Sequence, residues 1–66
     1  MDLKGFETIK LDNGNVIFGP LSEKAYKDLT NYFNEVGIGF FAEILEKKKF
    51  SIVTNNRQLI RNGITL

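Results

Sequence analysis

Cysteine and histidine are both absent from this 66-residue chain, and proline occurs once. Without His there is no imidazole base near neutral pH, no Ser-His triad and no His-ligated metal. Without Cys there is no thiolate nucleophile, zinc knuckle, redox couple or disulfide. The groups left for chemistry are Ser22, Ser51, the threonines, the lysines and the carboxylates. A chain this short also leaves little room for a pocket of the roughly 300 Å³ or more that small-molecule sites need. The expectation is a protein that is not an enzyme and carries no metal and no cofactor.

Long hydrophobic runs are missing too. The longest nearly apolar stretch, 36–42, contains two glycines and is far too short to cross a bilayer. Met1-Asp2-Leu3-Lys4 leads directly to Gly5, with no apolar core of a signal peptide. A cytoplasmic location without membrane contact is the resulting expectation.

What is present looks globular. Apolar residues make up 42% and charged residues 26%, which argues against a disordered or fibrous chain. No repeat, low-complexity tract or linker interrupts residues 1–66, so one domain is expected. A domain of this size buries only about 60% of its unfolded surface, which makes the core thin. Six Phe, two Tyr and the aliphatic residues must supply it.

Residues 6–11 (Phe-Glu-Thr-Ile-Lys-Leu) alternate apolar and polar, the pattern of a strand with one buried face. Asp12-Asn13-Gly14 and then Asn15-Val16-Ile17-Phe18 complete a β-hairpin, and Asn13-Gly14 suits a type I′ turn. Asp12, Asn13 and Asn15 also offer oxygens for calcium, but the closing Glu of a calcium loop is lacking. Gly19-Pro20-Leu21-Ser22 ends the strand, with Ser22 as N-cap of a helix over about 22–36. Ala25, Leu29, Tyr32, Phe33 and Val36 form its apolar stripe, read as core packing. Gly37 is its left-handed C-cap, and Ile38 folds back on the last turn.

Residues 40–48 fit two patterns. As a helix, Phe40, Phe41, Ile44 and Leu45 share a face; as a strand, Phe40, Ala42 and Ile44 oppose Phe41, Glu43 and Leu45. A strand is preferred, turning at Lys47-Lys48 into a second strand from Phe50, because one helix over four antiparallel strands makes an economical two-layer fold. Residues 56–62 fit either a strand or a short helix capped by Asn55. The fold class is therefore α+β: an N-terminal β-hairpin, one central helix and a C-terminal β-hairpin in one antiparallel sheet, a ββαββ-like arrangement.

Three motifs bear on function. Gly37-Ile38-Gly39-Phe40-Phe41-Ala42 matches a dinucleotide fingerprint in letters, but a helix precedes it and no βαβ unit fits, so it reads as a cap and a turn. Glu43 and Glu46 sit beside lysines and read as a solvated mixed-charge surface. Charge is unevenly divided: residues 1–36 carry four Lys against six acids, for −2, and residues 37–66 carry five basic residues against two acids, for +3. With 40–48 helical, the basic half would resemble a winged helix-turn-helix, which makes a DNA- or RNA-binding regulator the alternative. A net charge of +1 is low for that role.

The leading expectation is a protein-binding module, an inhibitor or modulator docking on a larger host or cellular protein. Tiny chains without Cys or His and without a catalytic set are common among phage and mobile-element proteins of that kind. Its binding residues are expected to be Phe41 and Leu45, left on the sheet face away from the core, with Lys47, Lys48, Lys49 and Arg57 as a basic rim. A homodimer pairing exposed strand edges is a third arrangement to consider.

Overall fold

A computed structural model describes residues 3–66, the side chain of Lys4 excepted. Four strands, β1 (Thr8–Lys10), β2 (Asn15–Leu21), β3 (Phe41–Ile44) and β4 (Phe50–Asn55), form one antiparallel sheet in the order β1-β2-β4-β3. Helix α1 (Glu23–Val36) joins β2 to β3, and a short helix α2 (Asn56–Arg61) follows β4 directly. This is the expected α+β arrangement, with α2 added at the C-terminal end. None of the described helices is long and apolar enough to cross a membrane.

The helix ends follow from side chains and one glycine. Ser22 accepts a hydrogen bond from the Ala25 amide at 3.2 Å, satisfying a first-turn donor that has no partner within the helix. Gly37 closes α1 at φ 83°, a left-handed geometry that costs a residue with a Cβ, and the Ile38 amide returns to the Phe33 carbonyl at 2.8 Å. Ile38 is thereby buried at the foot of the helix.

Buried residues gather between α1 and one face of the sheet: Val16 and Phe18 from β2, Ile52 from β4, Leu29 and Phe33 from α1, with Leu3, Leu21, Ile38 and Leu59 around them. Aromatic edges organise this core. Phe18 meets Phe33 edge-on with ring centres 5.8 Å apart, and Phe6 meets Phe18 similarly at 6.5 Å. Tyr26, outside the stripe read from the sequence, stacks on Phe50 at 4.3 Å. Val36, inside that stripe, is exposed.

Several expectations need correction. The first hairpin does not use a type I′ turn, since Gly14 alone among its turn residues has positive φ, at 89°. The Gly14 amide donates to the Leu11 carbonyl at 3.1 Å and the Leu11 amide to the Asn15 carbonyl at 2.8 Å. This is a three-residue loop ending in a left-handed glycine. The paired left-handed residues sit instead at Lys47 and Lys48, φ 57° and 59°, where β3 turns into β4. Strand β2 does not stop at Gly19-Pro20 but runs through a bulge to Leu21, which pairs with Phe50. Residues 40–48 contain no α-helix, and 56–61 are helical, so the winged helix-turn-helix arrangement is absent. Of Phe40, Ala42 and Ile44, only Phe40 packs on the core, 5.8 Å from the Phe33 ring. Strand β3 lies at the sheet edge, beyond the cover of α1, and Ile44 is 78% exposed.

Candidate functional site

Opposed residues of antiparallel neighbours share a face, so register shows which side chains lie together. Ile9 pairs with Ile17, Ile17 with Val53, and Val53 with Phe41. One apolar side chain from every strand thus forms a row across the sheet. The neighbouring row, Val16 and Thr54, is buried on the α1 side, so the Ile9-Ile17-Val53-Phe41 row faces outward. Ile17 and Val53 are half-buried at the centre, while Ile9 and Phe41 are exposed at the ends, Phe41 to 82%.

This overturns one reading and locates another. The alternation in residues 6–11 was expected to mark a buried face, yet Ile9 and Leu11 are exposed. Phe41 does point away from the core, as its position opposite Phe40 requires. Leu45 follows β3 directly and is half-buried, leading into the tight turn.

The basic residues divide into two groups. Lys47, Lys48 and Lys49 occupy the β3–β4 turn at one end of β4, all exposed, with Glu46 beside them. Arg57 lies in α2 at the other end. Six residues of β4 separate them, roughly 20 Å at the rise of a strand. The lysines and Arg57 therefore do not form one rim. Glu43 and Glu46 are both exposed.

At the Arg57 end, a groove of about 410 Å³ opens between β3, β4 and α2. The shortness of the chain did not prevent it. Asn15, Asn55 and Gln58 line it together with Phe40, Phe41 and Val53. Gly39 separates Phe41 from Gln58 and is held from both sides: its amide donates to Gln58 Oε1 at 2.7 Å, and its carbonyl accepts from Thr54 Oγ1 at 2.6 Å. A Cβ on Gly39 would come within 3.4 Å of Gln58. The second glycine of the fingerprint-like motif thus lines the groove and is tied to both β4 and α2. The oxygens near Asp12 have protein partners, since Asn13 Oδ1 accepts from the Asn15 amide and Asn15 Oδ1 from Asn55.

Sequence reasoning missed Ile17, Val53, Asn15, Asn55 and Gln58. Strict alternation in 6–11 was a signal for the outward row, but its direction depends on which face α1 covers. Nothing in the sequence marks Gln58. Compared with protein families, characterised proteins and solved structures, the chain matches none.

Proposed function

We propose that this chain is a non-enzymatic protein-binding module that docks on a larger intracellular protein through the outward sheet face, with Phe41 as anchor. An inhibitor or modulator of the kind phages and mobile elements carry is the form this role takes. The observation that supports it is the outward row of Ile9, Ile17, Val53 and Phe41. A contiguous apolar row on an exposed sheet face suits a protein contact, and binding energy in such contacts concentrates in a few residues, aromatic ones above all. The lysines of the β3–β4 turn flank the strand that carries Phe41 and act mainly on encounter rate.

The test is a pull-down from the native cell, with and without nuclease, followed by measured affinities for the captured protein. Phe41→Ala is expected to weaken binding by about 2 kcal/mol or more, mostly through dissociation. Replacing Lys47, Lys48 and Lys49 together is expected to slow association and cost less affinity. Capture that disappears with nuclease, or steep weakening with salt, would move the assignment to nucleic acid.

A further inference from the structure

Strand β3 ends the sheet, and hydrogen bonding shows which of its backbone groups are free. The Leu45 amide donates to the Lys49 carbonyl at 2.7 Å, so Leu45 faces β4. Gly39, before the strand, also turns its amide and carbonyl inward, to Gln58 and Thr54. Backbone groups alternate in direction along a strand, so Phe41 and Glu43 face β4 as well. Phe40, Ala42 and Ile44 therefore aim theirs at the open edge, a template for another strand. At the other edge, β1 has only three residues and ends in an exposed Lys10, a charge of the kind that guards an edge.

All four residues of β3 are exposed, and large apolar side chains lie on both of its faces: Phe41 outward, Ile44 on the α1 side beyond the helix's cover. Docking on the outward face alone would leave Ile44 bare. A strand added at the edge covers both, and it must itself be apolar on both faces. Strand β3 meets that requirement. We infer that two copies of this chain pair β3 to β3, antiparallel about a two-fold axis through Ala42. The two Ala42 residues then exchange backbone bonds, Phe40 lies opposite the second copy's Ile44, and Phe41 opposite its Glu43. An axis through Glu43 would set two carboxylates directly opposite, which is unfavourable, and one through Ile44 would set Phe40 against the lysine turn. The antiparallel arrangement also sends the two basic turns to opposite ends of the pair. Each turn lies toward the C-terminal end of the other copy's α1, whose last turn holds Glu35 and no basic residue. The two Phe41 rings become diagonal neighbours, joining the outward rows of both copies into one apolar band. The pairing stands on the edge of the sheet and is independent of the docking proposed above.

The test is sedimentation equilibrium over a concentration series, with unfolding midpoints measured in dilute solution. Pairing over residues 40–44 buries well under the roughly 800 Å² per partner of a standard interface, so the parent is expected to be monomeric at about 10 µM and largely dimeric at about 1 mM. Ala42→Pro removes an amide that the single chain leaves unpaired at its edge. It should abolish the dimer and retain the midpoint, and Ile44→Lys should do the same through an edge charge if Ala42→Pro does not fold. Cross-linking reads the register. Ala42→Cys sets two Cα atoms about 5.5 Å apart, within disulfide reach, whereas Glu43→Cys sets them more than about 7 Å apart. The first is expected to form a linked dimer under mild oxidation about tenfold faster than the second. A parent that stays monomeric at about 1 mM, a dimer that survives both edge substitutions, or faster linkage at position 43 overturns the inference.

Discussion

Lys47 and Lys48 hold consecutive left-handed backbone conformations, φ 57° and 59°, in which a Cβ crowds the neighbouring carbonyl. Asn and Gly are the residues that accept such a pair with least strain, and here they occur at Asn13-Gly14, where only Gly14 needs positive φ. The double substitution Lys47→Asn, Lys48→Gly is therefore expected to raise stability by about 1 kcal/mol, read as a higher denaturation midpoint. Gly14→Val should act oppositely and cost more than about 1 kcal/mol, because a β-branched residue at φ 89° is strained, although its Cβ would meet only the Asn55 side chain, at an ordinary 3.5 Å. Both hairpins were legible, yet the turn types were not. Asn-Gly is a preference over local geometries, whereas Lys47-Lys48 adopts its turn because β3 and β4 must pair with Leu45 opposite Lys49. Tertiary pairing set the turn there, against residue preference.

Helix α1 was legible almost to the residue because its stop and start signals are local: a serine hydroxyl, a 3.6-residue stripe and a glycine. Strand β3 was harder, since Phe40-Phe41-Ala42-Glu43-Ile44 carries apolar residues on both faces and fits either period. What fixes it is long-range, the pairing of 41–44 with 50–53. Helix α2 depends on Asn55, whose side chain accepts from the Arg57 amide, and on Leu59, which is fully buried. The link between these elements is the clamp on Gly39. Thr54 is nearly buried and donates to the Gly39 carbonyl, so Thr54→Val keeps the shape and removes the donor. The expected cost is about 1 kcal/mol, the net worth of an ordinary hydrogen bond, since Gly39 is exposed and water can replace the hydroxyl. Hydrogen exchange at the Gly39 amide is expected to accelerate along with it, as the segment between α1 and β3 loosens. Unchanged exchange there, with an unchanged midpoint, would mean that Gln58 alone positions the groove.

At the scale of the molecule, two layers mean that a phenylalanine's worth depends on which side of the sheet it lies. Phe33 is fully buried among Phe18, Phe40 and Tyr32, whereas Phe41 is 82% exposed on the opposite face. A chain of this length has a total stability of roughly 3–10 kcal/mol, at about 0.05–0.15 kcal/mol per residue. Truncating a buried Phe costs about 3–5 kcal/mol through lost transfer energy and the cavity left behind. Phe33→Ala is thus expected to remove most of the stability and leave a large unfolded fraction at 37 °C. Phe41→Ala loses only a cross-strand contact with Val53 and should stay within about 0.5 kcal/mol of the parent. Urea titration followed by circular dichroism measures both. Similar losses for the two variants would place Phe41 in a core, and the outward row could not then be a free surface. A large loss for Phe33→Ala alone would leave Phe41 as a ring the fold does not need, held outward on the face away from the core.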